Sequence, residues 1–182
     1  MNIFNSGISI SAEDKKFLEY VVPNIETWLT ASLTSKIAAR RDAMIKQWTN
    51  HYLANSVTIP ATSNGFINSI ATQASYKTRK ALDTADGTVQ VTYPTTSGAV
   101  TLFSSGITVD DTDAKALLTY VADIEQWVRG AIAGKLAHAK LKLKQDWTPI
   151  LLDDAAVTEM PDSDSAYVTV VTARSDYKPN YD

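Results

Sequence analysis

Between Ile25 and Tyr52 the apolar residues Leu29, Leu33, Ile37, Met44, Trp48 and Tyr52 fall at intervals of four or seven, the spacing of one face of an α-helix. Val128, Ile132, Leu136, Leu143 and Trp147 repeat the pattern later in the chain. Two long helices follow from this, each with an apolar stripe of about six turns. Asn24 and Asp123 stand where the N-cap of each belongs. A shorter helix precedes each long one. Ser11 to Asp14 and Asp110 to Asp113 read as its starts, with oxygen-bearing caps and first-turn acids that meet unpaired backbone N–H groups. Its apolar positions are Phe17, Leu18 and Val21 in one case, and Leu117, Leu118 and Val121 in the other.

After each long helix, Pro60 and Pro161 mark a loop, and Ser63-Asn64 and Asp162-Ser163 are able to cap a third helix. That helix presents Phe66, Ile67 and Ile70, or Tyr167, Val168 and Val171. The β-branched run from Tyr167 to Val171 also suits an extended strand. The intervening stretch is different in kind. Thr88–Tyr93 and Ala99–Phe103 alternate in polarity around the turn-rich segment Pro94–Gly98, which predicts a β-hairpin, and Asp86-Gly87 supplies a turn before it.

These patterns are two copies of one pattern. Phe4 to Ile10 recurs as Phe103 to Val109, and the same offset of 99 positions carries Asp14 onto Asp113, Trp28 onto Trp127, Lys36 onto Lys135 and Trp48 onto Trp147. Past the second tryptophan the offset becomes 101, matching Phe66 to Tyr167 and Tyr76 to Tyr177. The expected fold is mainly α, a tandem duplication of a short helix, long helix, short helix unit, with a β-hairpin linker. Residues 1–81 form the first repeat, 82–99 the linker and 100–182 the second repeat.

Composition narrows the function. The 182 residues are 45% hydrophobic and 20% charged, with net charge −3 and no cysteine, which fits a soluble globular protein. No run approaches a membrane span, and Met1 to Ser11 lacks the basic start and apolar core of a signal peptide. Disulfides, thiolate metal sites and a cysteine nucleophile are excluded. A pI near 5.4 argues against nucleic acid as a general partner.

Candidate chemistry is sparse. His51 and His138 occupy unrelated places in their repeats and lack the paired spacing of a helical zinc site. No serine-nucleophile elbow, dinucleotide fingerprint or phosphate loop is present. Glu26 and Glu125 are the one catalytic candidate, an acid and base across a pseudo-twofold cleft. Both also fall in the first turn of a long helix, where a carboxylate complements the helix dipole, and that reading is the stronger. No catalytic, cofactor-binding or metal residue is assigned.

Trp28, Trp48, Trp127 and Trp147 are the candidate anchors. They suit either a platform for sugar or a partner protein, or the core. Trp48 and Trp147 lie on the stripe and read as core, whereas Trp28 and Trp127 lie one residue off it and suit packing on the preceding helix or on a neighbouring subunit. Arg40, Arg41 and Asp42, and the run from Lys140 to Lys144, read as a solvated face.

The phrase Ile124-Glu-Gln-Trp-Val-Arg-Gly-Ala-Ile-Ala-Gly-Lys-Leu136, preceded by Ser105 to Val109 and followed by a basic helix and Trp147, resembles helical segments in structural proteins of tailed bacteriophages. The resemblance implies a non-enzymatic virion component of tail, fibre, baseplate or neck, assembled in the host cytoplasm and acting through a helical oligomer. Its partners are then other copies of itself and other virion proteins. A trimer of duplicated chains offers six similar contacts, which matches a sixfold tail to a threefold fibre. The alternative is a cellular helical adaptor that grips a partner peptide between its paired tryptophan helices.

Overall fold

The computed structural model describes residues 1–4, 7–93, 98 and 100–181. The described residues are mainly helical, as the periodicity predicts. In chain order they form β1 (Asn2–Phe4), β2 (Ile8–Ile10), α1 (Ala12–Val21), α2 (Ile25–Ala54), α3 (Ser63–Ile70), α4 (Arg79–Ala85), β3 (Val100–Leu102), β4 (Ile107–Thr108), α5 (Asp111–Leu118), α6 (Ile124–Asp153) and α7 (Asp164–Thr172).

The caps explain where the helices begin. Ser11 Oγ accepts the Asp14 N–H at 2.9 Å and Asp110 Oδ1 the Thr112 N–H at 2.8 Å. Asn24 and Asp123 cap α2 and α6 by accepting from Thr27 and Gln126. Both long helices run for 30 residues. Their stripes are buried at Leu29, Leu33, Met44 and Tyr52, and at Val128, Ile132, Leu143, Trp147 and Leu151. Ile37, Trp48 and Leu136 are half-buried.

The chain divides into two compact units. Unit 1 comprises Met1–Asn5, Thr30–Tyr93 and Ser105–Arg129. Its core gathers Met44 and Tyr52 of α2, Phe66, Ile67 and Ile70 of α3, and Ala116 of α5, with Ile45, Trp48 and Tyr76 packed on them. The Tyr52 ring meets Phe66 edge-on at 4.9 Å, and its hydroxyl lies 2.9 Å from Ser69 Oγ. Helix α3 packs on α5, and β1 pairs antiparallel with β4.

Unit 2 comprises Ser6–Leu29, Pro94–Ser104 and Gly130–Asp182. Here α1 packs on α7. Phe17, Leu18, Tyr20 and Val21 of α1 and Tyr167, Val168 and Val171 of α7 are buried. Strand β2 pairs antiparallel with β3, Ile8 opposite Leu102 and Ile10 opposite Val100. Gly7 adopts a φ of +77°, and a Cβ there meets the Leu102 carbonyl oxygen at 2.4 Å, so the approach of the two strands requires glycine.

Two features depart from the sequence reading, and one alternative it left open is resolved in favour of the helix it named first. Among the described residues the linker hairpin does not form: Val100–Leu102 is a strand, but its partner is Ile8–Ile10, a pairing that buries Ile8, Ile10 and Leu102. Thr88–Tyr93 contains no strand, and the turn expected at Pro94–Ser97 lies outside the described residues. The Tyr167–Val171 run is helical, because the Ser163 cap and one apolar face at Tyr167, Val168 and Val171 outweigh β-propensity. Helix α4 is additional. Thr78 caps it, and Gly87 ends it at φ +68°. The Gly87 N–H donates to the Thr84 carbonyl and the Thr88 N–H to the Asp83 carbonyl, the paired bonds of a glycine-terminated helix. The Asp86-Gly87 turn is thus a helix end.

Candidate interaction sites

The four tryptophans fall into two environments. Trp147 is buried, with the Tyr177 ring at 5.9 Å and the Arg174 guanidinium at 5.8 Å. Trp48 is half-buried on the unit 1 core, edge-on to His51 at 5.0 Å and to Tyr52 at 6.4 Å. Trp28 and Trp127 are half-buried at the starts of the long helices, and each carries a lysine over its ring. In unit 1 Lys36 Nζ lies 5.9 Å from the Trp127 centroid, and in unit 2 Lys135 Nζ lies 5.8 Å from that of Trp28. An ammonium over an indole face is attractive and shields the ring from water.

The two candidate carboxylates fall in different units. Glu26 lies in unit 2 and accepts the Phe103 N–H at 2.7 Å. Glu125 lies in unit 1 and holds Arg129 at 2.7 Å, one helical turn on. Each therefore has a local structural partner. His51 and His138 are exposed, on α2 and α6. Among the described residues no cluster of three or more metal-ligating side chains occurs, and no helix is long and apolar enough to cross a membrane.

The basic residues off the stripe are matched by acids, which the spacing alone did not indicate. In unit 2 Lys140 Nζ lies 3.0 Å from Asp14 and 3.3 Å from Asp164, and Lys144 Nζ lies 2.6 Å from Asp164. Burial depresses the Lys140 ammonium, but Asp14 and Asp164 outweigh it and its pKa is raised. The hydrogen bond from Lys144 holds Asp164 below the usual carboxylate range. In unit 1 Arg41 pairs with Asp113 and also reaches Asn64.

Tyr20 anchors the end of the described chain in unit 2. Its hydroxyl donates to Asp146 at 2.7 Å, its carbonyl accepts the Asn180 N–H at 2.8 Å, and the Asn180 amide donates to Asp146 at 2.9 Å. Burial, reinforced by the Asp146 carboxylate, pushes the Tyr20 hydroxyl up to about 12.

An open cleft of about 500 Å³ lies in unit 1, between the stretch from Arg79 to Tyr93 and that from Tyr120 to Trp127. The Arg40 guanidinium stacks 3.5 Å from the Tyr120 centroid, with Lys36 Nζ at 4.1 Å. Asp83, one of its lining residues, is buried and paired with Arg79 at 2.6 Å and with Gln90. The outer rim is the exposed stretch Thr88–Tyr93. Comparison of the chain with protein-family models, with curated proteins and with solved structures gave no match.

Proposed function

We propose that this chain is a non-enzymatic structural component of a phage virion, of tail, fibre, baseplate or neck, that arose by tandem duplication and works by assembling with copies of itself. The observation that carries the duplication in this reading is the matched exchange inside the two units. Helix α5, from the second repeat, packs on α3 from the first, and α1, from the first, packs on α7 from the second. The lysine–tryptophan contacts Lys36–Trp127 and Lys135–Trp28 repeat at the offset of 99, as do the ion pairs Arg41–Asp113 and Lys140–Asp14. A chain built this way is a ready-made pair of similar units, in which the contacts named above made by one have counterparts in the other. Paired units suit repeated contacts in a symmetric particle.

The virion assignment rests on the sequence resemblance around Ile124–Leu136. The test of assembly is the mass of the purified chain by light scattering on a sizing column. A multiple of 19.8 kDa is expected. A compact monomer contradicts the assembly reading and favours the adaptor alternative.

A further inference from the structure

The stretch Thr88–Tyr93 has the chemistry of a strand and, among the described residues, no strand beside it. It reads Thr-Val-Gln-Val-Thr-Tyr, β-prone throughout, uncharged and free of proline. Both its ends are tied down. Thr88 N–H donates to the Asp83 carbonyl at 2.8 Å, and Tyr93 N–H to Gln126 Oε1 at 2.6 Å. Between them Gln90 turns its amide onto the buried Asp83 carboxylate. Val89 and Val91, on either side of it, are 89% and 69% exposed. Among the described residues the amides of Val89 to Thr92 donate to no backbone carbonyl. Open strand edges with exposed β-branched residues are a pairing template, which proteins normally cover or break with charge. Here no charge interrupts the run.

The order of residues identifies what covers it. Thr88-Val89-Gln90-Val91-Thr92 reads the same in both directions about Gln90. Antiparallel pairing of two such segments in register sets Val89 opposite Val91, Thr88 opposite Thr92 and Gln90 opposite Gln90. That is the self-complementarity of a two-fold contact between identical chains. We infer that Thr88–Thr92 is a self-association strand whose partner is the same segment of a second copy of this chain. The contact joins backbone N–H and C=O groups and brings the valines of the two copies to about 5 Å between Cβ atoms. Two strands alone make a marginal ribbon; the anchors at Asp83 and Gln126 reduce the ordering cost by fixing both ends. The inference rests on the self-assembly reading and deepens it, because a two-fold contact makes the copy number even, a dimer or a pair of trimers.

The test uses the full chain and its lack of cysteine. The native mass is expected to be an even multiple of 19.8 kDa. The pair Val89→Lys with Val91→Lys sets two ammonium groups face to face at both cross-strand positions and is expected to halve that mass. Val89→Lys with Val91→Glu sets opposite charges face to face and is expected to keep it. Gln90→Cys, the sole thiol in the chain, is expected to give a covalent dimer under mild oxidation, whereas Leu53→Cys, also exposed, is not. An odd oligomer, or an even one whose mass the double-lysine variant leaves unchanged, overturns the strand contact and leaves the assembly reading standing. A native monomer overturns both.

Discussion

The Lys140 ammonium of α6 lies 3.0 Å from the Asp14 carboxylate of α1, so the last long helix is tied to the first short helix of the chain. The positions 99 earlier and 99 later, Arg41 and Asp113, form the corresponding pair in the other unit. Each pair joins an early and a late segment of the chain while staying within one unit. Neither half of the chain supplies a whole unit by itself.

Removing one charge from such a pair weakens the hold on the other, although Lys140 keeps Asp164 at 3.3 Å and Arg41 keeps Asn64. Asp14→Asn and Asp113→Asn are each expected to cost about 1 kcal/mol, the modest figure reflecting partial solvent screening. Chemical denaturation of each variant measures it. Equal losses support equivalent roles for the pairs.

Acid should weaken unit 2 through Asp164. Its folded pKa is depressed, chiefly by Lys144, so its contribution is complete above the unfolded value of about 4 and is lost as the pH falls through the folded one. The expected outcome is a melting temperature that drops below about pH 4, with a smaller drop in Asp164→Asn. A pH series of thermal melts decides it.

Alkali acts on Tyr20 in the opposite sense. With its pKa raised to about 12, its contribution is complete below the unfolded value of about 10 and lost as the pH rises through the folded one. Ultraviolet titration is expected to show a late-ionising fraction, to which Tyr76 and Tyr177, also raised by burial, contribute, and Tyr20→Phe to diminish it. Loss of the Asp146 hydrogen bond in this variant is expected to cost about 1 to 2 kcal/mol.

The stripe tryptophans are not equal in burial. Trp147→Ala is expected to cost about 3 to 5 kcal/mol, as for a fully packed ring, and Trp48→Ala less. Denaturant midpoints compare the two. A larger loss at Trp48 contradicts the packing described for unit 1.

Much of this architecture is legible from local chemistry. Asn24 and Asp123 mark the long helices because an oxygen acceptor before an apolar-periodic run meets free N–H groups. Leu29, Leu33, Met44 and Tyr52 mark the buried face because burial follows the helical repeat. Periodicity names a face but not its neighbour, so the pairing of α1 with α7 and of α3 with α5 was not readable. The same limit explains the hairpin. Alternation at Val100–Leu102 announces a strand, while its choice of Ile8–Ile10 depends on tertiary burial. Helix α4 had a readable signal, Thr78 ahead and Gly87 behind, but its seven residues show no clear stripe. Asp14, which pairs with Lys140, and Asp113, which pairs with Arg41, lie far away along the chain, beyond the reach of spacing rules.

The central claim is that each unit needs residues from both the N-terminal and the C-terminal half of the chain, and complementation tests it most directly. Residues 1–93 and 98–182 are produced separately, and helicity and thermal melting are followed by circular dichroism alone and after mixing. The account predicts little helix and no cooperative melt in either piece, and recovery of both on mixing. A piece that folds alone as a stable, cooperatively melting monomer contradicts it.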